Sequence, residues 1–512
     1  MSRGAIYNLV TRDDRFDAYF TASDYLRKRL DIIRAKRKAG KKDNIQPSFL
    51  DIENSHILYI RATYRPHAMI ASEYVQQKPT GDGASFLMES SSRVVKFDLP
   101  IFGHFTNDII LRIKFKEIGP HVISGQRVLF KYCAFPGLRL LKNVTLKSDE
   151  VLIDEYTSDD AVNYAKLFVR ADQKIGWMRC HGQQEEKLAQ YMANNFMGTL
   201  TYCDGPQTPK EIQPSLEMFI PLQFWFCKDV SQAILNDLIA NTQRAVTCEL
   251  SSLEKIIIAL IPDVNNPGAM ISTPLPFSKM PIEIELYSNN LFVNPEVYDV
   301  FASRIGFNLI RVHKRHTCHI QHVKDLYHMS QLKYPAEYLI VGVRDKNNLL
   351  DPDRWWLMGT PSPRTNEYKL LVPAVIWNPL QIAQLVVREA REISTLESFV
   401  KTLEIKEHTI RVIPPLGETF YNAYSPIRYI DNNMLVSPSD SSVLLINFCL
   451  YPGKFNPSGS FNLSAGRELY INLEVKDFAQ PLLSGRAEML VFMSALNFLI
   501  RRGDKLHLRY SL

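Results

Sequence analysis

Five of the twelve histidines lie in one short segment, VHKRHTCHIQHVKDLYH, as His313, His316, His319, His322 and His328. An H-x-H pair places two imidazoles on one face of a strand, where they can hold a metal ion, but a spacing of three puts successive side chains on opposite faces. On a helix a step of three drifts by about 60°, so only neighbouring pairs could share an ion. Basic residues are interspersed. We therefore predict an exposed basic loop at a surface or interface, with neither metal nor catalytic duty.

Other residues that could take part in catalysis or binding are better explained by structural roles. The sequence contains no G-x-S-x-G, H-E-x-x-H, G-x-x-x-x-G-K-[ST] or G-x-G-x-x-G motif, so no catalytic or cofactor-binding residues are assigned. The acidic pairs Asp159-Asp160 and Glu185-Glu186 precede helical periodicity and are interpreted as solvated helix caps. Aromatic clusters could stack bases, but alternation favours core packing. These clusters are Phe224-Trp225-Phe226, Trp355-Trp356 and Tyr19-Phe20.

The cysteines and the amino terminus indicate a reducing compartment. Seven cysteines are an odd number, and none forms a C-x-x-C pair, which argues against a disulfide framework and a zinc ribbon. Charges stand where a signal peptide needs an apolar stretch, and no apolar run approaches a membrane span. We expect reduced thiols in a chain that is neither secreted nor inserted in a membrane.

Basic charge is concentrated in one arm. The net charge is +6, yet residues 27–42 contain nine basic residues and one acid, which leaves about −2 for the remainder. The basic residues are Arg27, Lys28, Arg29, Arg34, Lys36, Arg37, Lys38, Lys41 and Lys42. Leu26, Leu30 and Ile33 form one apolar stripe before Gly40, and this pattern predicts a helix over 24–39. Such a helix is suited to lie on another surface, although it could also pack beneath its own domain.

The elements that must position these residues are mostly short strands. Period-two alternation begins near His56, and the strand candidates in the first half are 56–62, 94–99, 108–115, 127–133, 140–146, 219–227, 245–249, 256–261 and 282–292. Those in the second half are 307–312, 338–343, 369–376, 409–413, 442–450, 468–475, 487–499 and 505–510. Helical periodicity is limited to 159–170, 185–194, 230–242 and a turn at 295–303. The pattern excludes βαβ order and predicts two β-sandwiches divided near 294–305.

Several blocks then resemble a known family. They are CDGPQTPK, QPSLEMFIPLQFWF, NNLFVNPEVYDVFASRIGFNLIRVHK, NPSGSFNLSAGRELYI and SALNFLIRRGDKLHLRYSL, and the first seventy-five residues, including IENSHILYIRATYRP and SEYVQQKP, are similar too. The blocks resemble, in order and from end to end, the double jelly-roll major capsid proteins of African swine fever virus and asfarvirus-like large double-stranded DNA viruses. The loops 75–94, 116–126, 182–203 and 345–369 look shorter than their counterparts, which suggests a relative with a smaller outer tower.

The resemblance implies an all-β double jelly roll, two eight-stranded antiparallel β-sandwiches in tandem, with short helical inserts and an N-terminal helical arm. Its domains would be a basic arm (1–50), a first jelly roll (51–300) and a second (301–512). The implied function is a viral major capsid protein, a homotrimeric pseudo-hexagonal capsomer that tiles an icosahedral shell and has no enzymatic activity or cofactor.

The implied partners are neighbouring capsomers, minor capsid and penton proteins, an inner viral membrane and a dedicated folding chaperone, but no specific nucleic acid. The chain would be made in the cytoplasmic viral factory and reside in the virion. The nine basic residues of the arm would contact the membrane or minor capsid proteins. Two alternatives stay open at this stage: a metal- or carbohydrate-dependent, cupin-like jelly-roll enzyme, and a nucleic-acid-binding structural protein that uses the arm.

Overall fold

A computed structural model describes residues 24–40 and 70–510, with gaps inside the second range. The gaps are 82, 90, 150, 171–172, 184, 194–195, 205–207, 237–242, 264–265, 267–268, 294–297, 300–306, 362–368, 378–382, 393–395, 431–441, 455, 464–467, 478, 480–482, 484 and 503–504. The predicted strand at 56–62, most of the turn at 295–303 and the Tyr19-Phe20 cluster lie outside the described residues.

In the described part of the chain, sixteen strands precede residue 294. They are β1 (Ile70–Gln77), β2 (Ser85–Glu89), β3 (Arg93–Leu99), β4 (Phe105–Phe115), β5 (His121–Ile123), β6 (Gln126–Tyr132), β7 (Leu141–Ser148), β8 (Val151–Thr157), β9 (Glu185–Ala193), β10 (Phe196–Asp204), β11 (Leu216–Pro221), β12 (Ile234–Leu235), β13 (Arg244–Leu250), β14 (Ile257–Pro262), β15 (Met270–Thr273) and β16 (Lys279–Val293).

Among the described residues after 306 there are fourteen strands. They are β17 (Phe307–His319), β18 (Lys324–His328), β19 (Pro335–Asp345), β20 (Gly359–Pro361), β21 (Lys369–Trp377), β22 (Ala383–Glu392), β23 (Leu396–Ser398), β24 (Val400–Glu407), β25 (Ile410–Gly417), β26 (Val443–Asn447), β27 (Phe461–Asn462), β28 (Leu469–Val475), β29 (Ala487–Arg502) and β30 (Lys505–Leu508).

The strands of the two halves follow the same order. In the first half the two main sheets run β1-β16-β4-β11 and β3-β13-β7-β8, and in the second half they run β17-β29-β19-β26 and β18-β28-β24-β25. If the eight main strands of each half are counted along the chain, one sheet has the order first-eighth-third-sixth and the other second-seventh-fourth-fifth. Among the described strands, none pairs with a strand of the other half.

Alternating side chains build the core of each sandwich. On β4 the residues Ile109, Leu111, Ile113 and Phe115 are all fully buried, and their neighbours along the strand face outward. Side chains two apart share a face of a strand, so this period buries one apolar row between the sheets. The predicted alternation is confirmed at this strand, and β28 follows the same rule in the second half.

The helices within the described ranges are short, from four to sixteen residues. They are α1 (Asp24–Ala39), α2 (Pro136–Leu140), α3 (Ser158–Phe168), α4 (Lys174–Cys180), α5 (Leu253–Ile256), α6 (Lys346–Leu350) and α7 (Ser425–Tyr429), with 3₁₀ turns at Trp225–Cys227 and Val230–Gln232 and a π turn at Phe420–Tyr424. Within the described ranges no helix is long and apolar enough to cross a membrane.

Two of the helix predictions are wrong. The segment predicted as a helix over 185–194 forms β9, which pairs along its whole length with β10. Main-chain bonding to an adjacent strand outweighs the small helix propensity of single residues. The segment predicted over 230–242 begins as a 3₁₀ turn and then pairs with the start of β4 through β12. The strand predicted over 219–227 ends at Pro221, and Phe224-Trp225-Phe226 is buried at a 3₁₀ turn instead.

Candidate functional site: the seam between the two halves

The two halves are joined by a contact surface, here called the seam, whose polar centre is Asp154 of β8 and His313 of β17. The Asp154 carboxylate is fully buried. It accepts hydrogen bonds from the backbone N–H of His313 at 2.7 Å and from His313 Nδ1 at 2.9 Å. The backbone N–H of Glu155 also donates to it, at 2.9 Å. A buried carboxylate with three donors is well satisfied, so this contact sets the position of one sandwich against the other.

Lys228 completes the polar centre of the seam. Its Nζ lies 3.5 Å from Nε2 of His313 and 4.2 Å from the centre of the Tyr164 ring. With Nδ1 of His313 donating to Asp154, Nε2 is left as the acceptor for the lysine. Asp154, His313 and Lys228 thus form a chain of polar contacts that joins the two halves.

Helix α3 belongs to the first half but packs on the second. Leu167 is in one apolar cluster with Tyr338, Ile340 and Phe492 of the second half, and the Phe168 ring lies 5.0 Å from that of Tyr338. The apolar end of α3 thus covers the outer face of the sheet that contains β19 and β29, a face that a free sandwich would expose.

The amino terminus of α3 corrects one prediction. Asp160 does cap the helix, since its carboxylate accepts from the Thr157 backbone N–H at 2.7 Å and from the Thr157 hydroxyl at 2.9 Å. It is buried rather than solvated, and burial raises its pKa to about 6. Asp159 pairs across the seam with Arg344 at 2.8 Å. The other acidic pair, Glu185-Glu186, begins a strand and caps no helix.

Two buried arginines of the second half form ion pairs beside the seam. Arg344 is 4% exposed at its side chain and bonds Asp159 and Glu488, at 2.8 and 3.0 Å. Arg311 donates two parallel bonds to the fully buried Glu337, at 2.7 and 3.0 Å. Bidentate pairs of this kind fix geometry as well as charge.

A tryptophan pair of the second half also contacts the first half. The indole N–H of Trp355 donates to the Ala134 carbonyl at 2.6 Å, and the Trp356 ring lies 5.4 Å from that of Phe135. Lys131 also pairs with Asp353 at 2.6 Å. Trp355 is 2% exposed, so the prediction that this cluster packs in the core is confirmed. Its role in joining the two halves was not predicted.

The histidine segment spans strands β17 and β18 and the connection between them, which holds the exposed His322, and is not the single loop that we predicted. His313, His316 and His319 lie on β17, which pairs with β29 along its full length. His313 faces the seam, while His319, His322 and His328 are exposed and His328 stacks on Tyr470 at 5.0 Å between ring centres. Burial and the charge of His328 lower the pKa of His316. In the described part of the chain no group of three or more His, Cys, Asp or Glu side chains could hold a metal ion.

The N-terminal helix is observed over the predicted residues, Asp24–Ala39, and the Gly40 N–H bonds the Lys36 carbonyl at 3.0 Å at its end. Arg34, Lys36 and Lys38 are exposed, Arg37 is half-buried, and Arg34 pairs with Asp31 at 3.0 Å. Arg27, Lys28 and Arg29 are on the helix, but their side chains lie outside the description, as do those of the predicted apolar stripe. Lys41 and Lys42 fall outside the described residues.

Comparison with known proteins gives the same class throughout. A major capsid protein of African swine fever virus (isolate Warthog/Namibia/Wart80/1980) is 24% identical over 670 aligned residues, which cover 100% of each chain. The hexon protein p72 of African swine fever virus (strain Badajoz 1971 Vero-adapted) is 25% identical over 665 residues, again over 100% of each. The solved Faustovirus major capsid protein superposes with a TM-score of 0.68 at 25% identity, over 95% of this chain and 99% of that one. No protein-family profile matches the chain.

The fold is a double jelly roll, and the full-length similarities to viral major capsid proteins support a structural role in a capsid. Within that class its full-length relatives include the African swine fever virus hexon proteins, so the recognition made from the sequence is confirmed. Both alignments are longer than the 512 residues of this chain, so gaps in this chain separate it from both relatives.

Sequence reasoning missed Asp154, the charge at the centre of the seam. The only available signal was an acid inside the apolar strand VLIDEYT. A buried carboxylate needs donors from elsewhere in the fold, and the sequence does not name them.

Proposed function

We propose that three copies of this chain form a pseudo-hexagonal capsomer and that such capsomers tile the icosahedral shell of a large double-stranded DNA virus. The observation that carries the proposal is the repeated strand order, first-eighth-third-sixth against second-seventh-fourth-fifth, in two halves of one chain. Three chains with two similar sandwiches each supply six similar wedges, and a shell tiled in this way needs that outline.

The seam supports the same proposal. Asp154, Arg344 and Trp355 join the halves through buried polar contacts, so each chain contributes two sandwiches in one fixed relation. A pseudo-sixfold outline depends on that relation, because a hinge between the halves would destroy it. Obligate interfaces between such chains commonly bury about 2,000–5,000 Å².

The domain division belongs to this proposal: a basic arm (1–50), a first jelly roll (51–300) and a second (301–512). Strand pairing supports it, because β1 to β16 and β17 to β30 form separate sheets. We further propose that the chain resides in the virion after synthesis in the cytoplasmic viral factory. We assign it no enzymatic activity, and the names of its relatives favour a capsid role over the cupin-like enzyme and the nucleic-acid-binding protein.

Beyond other capsomers, the partners that we propose are minor capsid and penton proteins, the inner viral membrane and a folding chaperone. The arm is the proposed contact, through Arg27, Lys28, Arg29, Arg34, Lys36, Arg37, Lys38, Lys41 and Lys42. Three of these side chains are exposed on one short helix, and near an anionic membrane each basic residue contributes about 1 kcal/mol.

Light scattering coupled to size-exclusion chromatography tests the capsomer. The expected mass is three times the 58.9 kDa of one chain, unchanged over a hundredfold dilution, and negative-stain images should show six lobes. A monomer at every concentration would contradict the proposal. The metal content and sugar binding of the same preparation would reveal the cupin-like alternative.

A further inference from the structure

A polar cleft opens along the seam beside the Asp154–His313 contact. Its volume is about 650 Å³, and both halves line it. Clefts of a few hundred to a thousand Å³ are the usual size for small-molecule sites. The capsid role as proposed above does not use this cleft.

The lining carries excess positive charge. Its six cationic side chains are Arg139, Lys142, Lys255, Lys314, Arg315 and Arg344. Its four carboxylates are Glu155, Asp159, Asp160 and Glu249. Within the described residues Lys142 pairs with Glu249 and Arg344 with Asp159. The charge of Arg315 stabilises the ionised form of the nearby Asp160.

Three cations are left without a carboxylate partner in the described part of the chain: Arg139, Lys255 and Lys314. Lys314 lies over the Tyr334 ring, 4.7 Å from its centre, and Lys255 is exposed. The only remaining acid of the lining is Glu155. A negatively charged group that entered the cleft would therefore meet unneutralised cations from both halves of the chain.

Arg139 is the most informative of these residues. It is only 7% exposed, and its Nη1 has no hydrogen-bond partner among the residues that the structure describes. Nη2 donates to the Leu349 carbonyl at 3.2 Å. The nearby Cys133 thiol does not balance the charge, because burial raises the pKa of this thiol to about 12 and keeps it neutral. A buried guanidinium nitrogen without an acceptor is unfavourable, and an anionic ligand would supply that acceptor.

We propose that this cleft binds a small phosphate-class polyanion, with Arg139 as the deep contact and Lys255 and Lys314 at the rim. Phosphate oxygens suit the planar fork of an arginine and the point charges of two lysines. A ligand held by both halves would also stabilise their relative position.

The test is calorimetric titration of the full-length protein with sodium tripolyphosphate at low salt, with sodium sulfate for comparison. We expect one site per chain, with a Kd of about 1 mM or tighter, weakened at higher ionic strength. Lys255→Gln and Arg139→Gln should each weaken binding about tenfold, the usual effect of losing one charge-assisted hydrogen bond. The matched control is Lys147→Gln, an exposed lysine on β7 that does not line the cleft, and it should bind like the unmodified chain.

Because Arg139 is buried, Lys255→Gln keeps the test valid if Arg139→Gln fails to fold. Absence of saturable binding, or equal affinity in Lys255→Gln and Lys147→Gln, would overturn the proposal. Vesicles of phosphatidylcholine with and without a phosphoinositide identify the source of the phosphate. Loss of phosphoinositide-dependent vesicle binding in Lys255→Gln but not in Lys147→Gln assigns the ligand to a lipid headgroup, and unchanged vesicle binding assigns it to a soluble oligophosphate.

Discussion

Replacing Asp154 with alanine should weaken the seam more than any exposed carboxylate could. The change removes the acceptor of three hydrogen bonds, two of them from His313 across the seam, at 2.7 and 2.9 Å. It also leaves the backbone N–H of His313 without that acceptor. Hydrogen bonds to a charged group contribute about 1.5–3 kcal/mol each, and breaking a buried pair typically costs about 3–5 kcal/mol. We expect a loss of about 3–5 kcal/mol in the free energy of unfolding.

Scanning calorimetry and hydrogen exchange together measure this loss. If each sandwich unfolds as a unit of about 200 residues, the loss lowers the unfolding temperature by at least about 6 °C. Backbone amides in β8 and β17 should exchange faster, because these strands meet at the seam. Glu155→Ala is the matched control, since its side chain is exposed on the same strand. Equal unfolding temperatures and exchange rates for Asp154→Ala and Glu155→Ala would refute the reasoning.

The remaining predictions concern helix α3, the tryptophan pair, the arm and the thiols. Because burial raises the pKa of Asp160 to about 6, its protonation stabilises the fold at low pH, and this contribution is lost as the pH rises through 6. Asp160→Asn cannot ionise, so its stability relative to the unmodified chain should rise by up to about 3 kcal/mol between pH 4 and 8; a pH-independent difference in unfolding temperature would contradict this. Trp355→Phe removes the bond to the Ala134 carbonyl and should lower the free energy of unfolding by about 1–3 kcal/mol, measured by urea denaturation. Deletion of residues 1–45 should leave a folded trimer that assembles poorly on membranes; a truncated monomer would place the arm in the trimer interface. Thiol titration of the unfolded, non-reduced protein should detect all seven cysteines, and a count of three or fewer would contradict the reducing compartment.

The local sequence pattern was sufficient to predict an element where a single row of side chains determines its secondary structure. Helix α1 and strand β3 were predicted to within a residue or two because each has a single periodicity and a clear boundary. The predictions were wrong where the secondary structure of a segment depends on its pairing partner. An example is β9, which is a strand because it pairs with β10. The loop prediction around His313 was wrong for a related reason. The basic residues around it suggest a loop, whereas thirteen residues of β17 pair with β29.

The sequence alone determined the class of protein, because alternating strands in two similar halves and five ordered blocks of resemblance need no coordinates to be recognised. It also determined the basic arm, since nine cations in one segment are a matter of composition. Only the tertiary structure decided which charges meet. Asp154 and His313 are separated by 159 positions in the chain, and Arg139 meets Leu349 across 210. Burial and hydrogen-bond partnership depend on how the two sandwiches dock, and no local pattern encodes the pairing of residues so far apart.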